Sequence, residues 1–344
     1  MQLSTLLTPR RIATLALALA GAGVFHVLGL PLPILLGPMF ACLFAALAGL
    51  PMQGTPKISE GMRIVLGIAV GASLTPALFG RLDEMALSVA LIPVFTLLIG
   101  LTGYPFFRRI GFDHPTAYYS SMPGGLQDMA VFGEEAGGNV RALALVHTTR
   151  VLVIVSLMPF LLTFFWGLEL SGPPGIPAAE VPLHELAVMA VTGVIGWWGA
   201  TRLGVFGAPI IGPMVVTGLA SMTDLLHHRP PAEVMQVAQF FLGLGIGVKY
   251  AGITADELRR IVGASLGYCL ILAVLSVIFA EIVIQSGLAE PLEAIIAFAP
   301  GGQAEMVLLA IVVGADTAFV VTHHLLRVVL VITLAPIAAR LLDR

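Results

Sequence analysis

The sequence predicts an all-α polytopic membrane protein built from two inverted-topology repeats, and three observations carry that reading. First, the 344 residues are 58% hydrophobic and only 11% charged, where a soluble domain carries about 25% charged residues. Such a chain cannot cover itself with a polar surface, so lipid must solvate much of it. Second, the chain repeats itself at a nearly constant offset. Third, its basic residues fall on one side once the apolar segments are threaded through a bilayer.

The duplication is read from Ser121-Met122-Pro123-Gly124-Gly125-Leu126-Gln127-Asp128-Met129 and Phe298-Ala299-Pro300-Gly301-Gly302-Gln303-Ala304-Glu305-Met306. Pro123, Gly124, Gly125 and Met129 match their counterparts at an offset of 177, which also pairs Asp128 with Glu305, Asn139 with Asp316, His147 with His324 and Arg150 with Arg327. Upstream, Gly37-Pro38-Met39 matches Gly212-Pro213-Met214 at 175, and Gly67 and Gly71 match Gly243 and Gly247 at 176. Small indels in a duplicated segment leave such a drift.

Each half divides into six apolar segments. In the first half they are Ile12–Leu30, Pro33–Leu50, Met62–Phe79, Met85–Phe106, Thr116–Phe132 and Ala142–Trp166. In the second they are Leu186–Val205, Pro209–Met222, Val237–Gly252, Ile261–Ser286, Leu292–Val312 and Ala318–Leu342. Most approach the roughly 20 residues that a spanning helix needs. Arg10 and Arg11 before Ile12 resemble a signal peptide, but the apolar run continues to Leu30 and has a counterpart in the second half. It is therefore read as a retained membrane helix. The organisation is repeat 1 over residues 1–167, an external linker over 168–185 and repeat 2 over 186–344.

The fifth segment of each half is different, because Pro-Gly pairs break helices. If it dips in and returns while the other five cross, thirteen basic residues share the cytoplasmic side: Arg10, Arg11, Lys57, Arg63, Arg108, Arg109, Arg141, Arg202, Lys249, Arg259, Arg260, Arg340 and Arg344. Only Arg81 and Arg229 fall outside, with Arg150 and Arg327 inside the membrane. Full crossing by the fifth segment gives a poorer segregation, so the first threading wins. Five crossings per half force the halves to insert in opposite senses, with both termini cytoplasmic in a bacterial inner membrane. Inverted repeats with discontinuous helices are typical of secondary transporters, although a channel has the same architecture available.

Chemistry concentrates at the breaks. Pro123, Gly124, Gly125, Pro300, Gly301 and Gly302 expose backbone groups that must line a polar cavity or be buried in protein. The bland alternative is a kink for close packing. Asp128 and Glu305 fall one turn inside the resumed helices, as proton carriers, sodium ligands or helix-start charges. His147 and Arg150, like His324 and Arg327, share a helix face at i and i+3. The arginines suit an anionic ligand such as a carboxylate or a structural ion pair with Asp128, Glu305 or Asp316. Asp316, opposite Asn139, is either an N-terminal charge or a site for one coupling ion. His323 lacks a counterpart, and His227-His228-Arg229 is read as a solvated turn. Gly-Pro-Met and the spaced glycines are read as helix packing.

The doubled Pro-Gly-Gly-x-x-[Asp/Glu]-Met elements, each followed by His-x-x-Arg, resemble the AbrB-type duplicated membrane protein family over roughly residues 12–342. That resemblance implies a fold related to the cation/proton antiporter and anion transporter superfamily, with five-plus-five inverted repeats. The family is distinct from the small soluble DNA-binding AbrB regulators. Its members often carry an ammonia monooxygenase label, for which the residues offer no clustered His and carboxylate ligands. Cys42 and Cys269 sit in apolar runs, which excludes a disulfide framework or a cysteine zinc site. No basic stripe exists for nucleic acid.

The expectation is therefore a non-enzymatic secondary transporter of a small, anionic solute, coupled to a proton or sodium and needing no other cofactor. The alternative is a membrane-embedded regulator of gene expression that acts indirectly, through a ligand or partner. Homo-oligomerisation stays open, and the bilayer is the one partner the composition demands.

Overall fold

A computed structural model describes residues 8–74, 82–170, 174–205 and 207–342. Of the basic residues used above, Arg81 and Arg344 lie outside them, as does Phe79 of the third apolar segment. All regular structure in the described residues is helical. Helices α1 (Pro9–Val27), α2 (Pro33–Leu47), α3 (Pro56–Gly71), α4 (Leu82–Arg109), α5 (His114–Ser121), α6 (Leu126–Glu135) and α7 (Val140–Trp166) belong to the first half. Their counterparts are α8 (Leu183–Arg202), α9 (Ala208–Met222), α10 (Ala232–Val248), α11 (Ala255–Gln285), α12 (Pro291–Phe298), α13 (Gln303–Val313) and α14 (Thr317–Leu342).

Among the described residues six helices are long and apolar enough to cross a membrane: Pro9–Val27, Met85–Arg109, Val140–Trp166, Leu183–Arg202, Ala255–Gln285 and Thr317–Ala339. Pro33–Leu47, Ala208–Met222, Ala232–Val248 and Gln303–Val313 are apolar but shorter. The protein is thus an all-α polytopic membrane protein.

Contacts divide the chain into two compact units, and each draws matching segments from both halves. The first holds the described residues of 1–81, 158–252 and 307–318. In it α2 packs on α1 and α10, while α9 packs on α8 and α3. Glycine makes these seams. A Cβ on Gly37 would fall 2.5 Å from the Gly21 carbonyl oxygen, and one on Gly71 would fall 2.6 Å from that of Met214. On Gly196 and Gly212 it would strike the other's carbonyl, and on Gly243 and Gly247 the carbonyls of Leu35 and Met39. Leu32 and Gly207, at matching positions, both start their helices with left-handed φ, of 45° and 62°.

Repeat inversion is visible within this unit. Thr8 Oγ1 donates to Gln53 Oε1 at 2.5 Å and Arg11 Nε to the Gly54 carbonyl at 3.2 Å. Gly54 packs beside Val248, so α3 begins at the end where α10 finishes. At the opposite end Arg229 Nε donates to Ser73 Oγ at 2.9 Å, and its Nη2 to Thr317 Oγ1 at 3.3 Å. The turn His227-His228-Arg229 lies at that end, and His227 is exposed as expected, but the turn is tied to a buried carboxylate. The Glu185 carboxylate, 2% exposed, accepts the backbone N–H groups of His227 and His228 at 3.0 and 2.9 Å. His227 Nδ1 lies 3.3 Å from Glu185 Oε1 and Nε2 lies 3.0 Å from Asp224 Oδ1.

These two carboxylates, Asp224 first and then Glu185, raise the His227 pKa above its ordinary 6.5. A raised histidine pKa stabilises the fold at low pH, and the contribution disappears as pH rises through the folded value. Melting curves of wild type and His227→Gln should therefore differ most below pH 6.5 and converge in alkali. A gap that widens as pH rises would refute the assignment.

The second unit holds the described residues of 82–157, 253–306 and 319–344. Arg141 Nε pairs with Glu257 Oε1 at 3.0 Å, and Arg260 Nη2 donates to the Gly111 carbonyl at 3.3 Å. The end of α4 and the start of its counterpart α11 therefore share one end of the unit, which again requires opposite senses. Thr254 and Glu257 form a capping box at the start of α11, satisfying free N–H groups of the first turn.

Candidate functional site

The second unit contains both helix breaks. Asp113 caps α5 by accepting the Thr116 N–H at 2.8 Å. The helix stops at Ser121 because Met122 precedes Pro123 and takes an extended conformation (φ −77°, ψ 130°), as residues before proline do. Gly125 then caps α6, with the Met129 N–H donating to its carbonyl at 3.0 Å. The second break copies this. Phe298 ends α12, Ala299 is extended before Pro300 (φ −69°, ψ 120°), and Met306 N–H donates to the Gly302 carbonyl at 3.0 Å.

Each break frees carbonyls, and one His and one Arg take them. His147 Nε2 lies 3.0 Å from the Tyr119 carbonyl, and Arg150 donates to those of Gly124 at 2.9 Å and Met122 at 3.4 Å. His324 Nε2 lies 3.0 Å from the Ile296 carbonyl, and Arg327 donates to those of Ala299 at 3.1 Å and Gly301 at 3.2 Å. Every partner recurs at the 177 offset. With Nε2 facing a carbonyl, His324 presents Nδ1 as an acceptor 3.1 Å from Arg327 Nη2.

The arginines are buried, 3% and 2% exposed. Among the described residues neither makes an ion pair, which leaves the expected structural pairing with Asp128 or Glu305 unformed. Nε of each has no hydrogen-bond partner among the described residues. Gly124, held by Arg150, packs on Val331 one turn beyond Arg327, and Gly301, held by Arg327, packs on Ile154 one turn beyond Arg150, so the two breaks bring both guanidiniums to one junction.

The glycines supply space. None of Gly124, Gly125, Gly301 and Gly302 has positive φ. A Cβ on Gly124 would lie 2.9 Å from Val331 on α14, and one on Gly301 would lie 3.1 Å from Ile154 on α7. Each break thus packs against the last long helix of the other half, and Ile154 and Val331 match at offset 177. A Cβ on Gly302 would collide with Glu305 Oε2, so this carboxylate folds back over the start of α13. Asp128 occupies the same first turn of α6, where a negative charge meets free N–H groups.

Asn139 and Asp316 sit at the starts of α7 and α14, accepting the N–H groups of Ala142 and Ala318 at 3.0 Å. Asp316 belongs to the first unit and the other candidates to the second. Two residues in the second unit carried no signal of duplication. Tyr268 on α11 donates to the Ser121 carbonyl at 2.7 Å, and Gly103 makes room for its hydroxyl. His323 lies 3.1 Å from Ser88 Oγ and 2.7 Å from the Phe319 carbonyl. A lone tyrosine in an otherwise apolar run was the available hint for the first.

Comparison with known proteins follows the same line. Residues 34–343 match the family model AbrB, described as transition state regulatory protein AbrB. The uncharacterized protein YhjN of Bacillus subtilis (strain 168) is 28% identical, covering 95% of this chain and 92% of its own length. The protein named "Putative regulator AbrB" of Escherichia coli (strain K12) is 22% identical, covering 93% and 92%.

Proposed function

This chain belongs to the AbrB family, and from that premise we propose that it is an ion-coupled secondary transporter of a small anionic solute. The observation that carries the reading is the pair of buried guanidiniums, Arg150 and Arg327, brought together by the two breaks and with no ion-pair partner among the described residues. Buried charge without a counter-charge is costly in lipid and marks ion and substrate paths.

Their hydrogen bonds run to the Met122 and Ala299 carbonyls that cap α5 and α12 and to the Gly124 and Gly301 carbonyls within the breaks, and each helix C-terminus carries about half a negative charge. With both Asp128 and Glu305 ionised, the two arginines and two helix N-ends are balanced by the two helix C-ends and the two carboxylates, so roughly one positive charge is left for an anion only when one carboxylate is neutralised. The N-terminal ends of α6 and α13 face Asp128 and Glu305 instead. Neutralising either carboxylate, with a proton or a sodium ion, raises the positive charge of the unit by one and strengthens anion binding. By linkage the anion then strengthens binding of the cation. Cation and anion are bound together and move together, as in symport.

The test is uptake of labelled small organic anions into proteoliposomes, under proton or sodium gradients. Saturable uptake by wild type should be lost in the Arg150→Lys, Arg327→Lys pair. In Asp128→Asn and Glu305→Gln, residual anion binding should lose its dependence on pH or sodium. Saturable binding without flux for every solute would instead favour the indirect regulator.

A further inference from the structure

A groove at one end of the second unit stands apart from the helix breaks. It has a volume of about 510 Å³ and lies between the last turns of α4 and the first turns of α11. Phe106 and Ile110 form its apolar wall, Gly263 leaves its floor open, and Asp256, Arg259 and Arg260 supply its charge. Leu258–Val262 is a π-helical turn, with both arginines on it. Such turns interrupt α-helices frequently at functional sites. Arg260 Nη2 is held by the Gly111 carbonyl at 3.3 Å. Arg259 is exposed and makes no hydrogen bond or ion pair among the described residues.

We propose that this groove binds a membrane glycerophospholipid, with its phosphodiester on Arg259 and Arg260 and an acyl chain along Phe106, Ile110 and Gly263. Its level is that of the headgroups, because α4 and α11 are both candidate spans and the groove lies where one ends and the other begins. Basic pockets between spanning helices at this depth are suited to phospholipid headgroups. Charge complements it: two arginines and one aspartate sum to plus one, against minus one for a phosphodiester. Asp256 adds selectivity. It accepts a hydrogen bond from an ethanolamine ammonium or a glycerol hydroxyl, whereas a trimethylated choline has no N–H or O–H to donate. The site therefore prefers phosphatidylethanolamine and phosphatidylglycerol to phosphatidylcholine.

The experiment titrates the detergent-purified full chain with each of these three lipids and with inorganic phosphate, reading bound lipid by native mass spectrometry and melting temperature. Wild type should bind the ethanolamine and glycerol lipids in preference to the choline lipid. Arg259→Gln, Arg260→Gln should weaken that binding about twenty-five-fold, taking roughly a factor of five for each arginine. Arg259→Gln alone, whose side chain holds nothing in place, should lose about fivefold with an unchanged lipid-free melting temperature. Asp256→Ala, which removes the acceptor, should bind all three lipids alike. Equal lipid binding by wild type and the double variant would overturn the proposal. Stabilisation by inorganic phosphate as strong as that by lipid would also overturn it, since the site would then hold free anions.

Discussion

Arg327→Ala is expected to lower the melting temperature more than any other single change near the breaks, and to abolish anion uptake. Its guanidinium is the donor to the Ala299 and Gly301 carbonyls, which lie in a buried, proline-interrupted stretch. A buried polar group stripped of its partner costs about 1–3 kcal/mol, so two such carbonyls suggest a loss of about 2–5 kcal/mol once removal of the buried charge is allowed for. Arg150→Ala should cost less, because one of its two bonds is long, at 3.4 Å. Arg327→Lys separates the two roles: it keeps the charge and loses the two-pronged grip. Thermal unfolding in detergent, run beside uptake, is the measurement. A wild-type melting temperature for Arg327→Ala would show that the carbonyls find other donors and that the arginine serves the ligand alone.

The second large effect concerns Gly196 and Gly199, less than one turn apart on α8. A methyl group on Gly196 would run into the Gly212 carbonyl and lie 2.6 Å from the Pro213 nitrogen. Those are backbone atoms, so relief requires α8 and α9 to separate along their seam. Overpacking of this kind costs about 1–3 kcal/mol, occasionally more. A methyl on Gly199 meets nothing within 4 Å. There Gly→Ala should stabilise the helix by about 0.5–1 kcal/mol. Two identical substitutions in one helix should thus shift the melting temperature in opposite directions. Equal shifts would mean that the seam is not tight.

Much of this was legible beforehand, for identifiable reasons. Pro-Gly-Gly announces a break because proline removes a donor and constrains the residue before it, and both breaks fall where expected. Gly-Pro-Met was expected to serve helix packing, and Gly37 and Gly212 are contact points. Helix starts were read late: α3 begins at Pro56 and α11 at Ala255, ahead of Met62 and Ile261, because their first turns are polar and hydrophobicity does not mark them. The acceptors of the arginines were not legible, since a backbone carbonyl has no residue type. Nor was the grouping into units. Sequence similarity pairs α2 with α9, whereas packing pairs α2 with α10, and no local pattern encodes which partner a glycine face meets.

That exchange of partners has a consequence for biosynthesis. The chain visits the first unit, then the second, and returns to each, so neither can close while only the first half has been made. Helix α2 is complete at Leu47, but its partner α10 ends at Val248. At ~5–20 residues per second, synthesis of the intervening stretch occupies on the order of ten to forty seconds. For that interval the bare face of α2 stands in lipid or against the insertion machinery, and the nascent half must remain unassembled without aggregating. A half-chain of this protein is an orphan in the membrane, and quality control has tens of seconds in which to notice it.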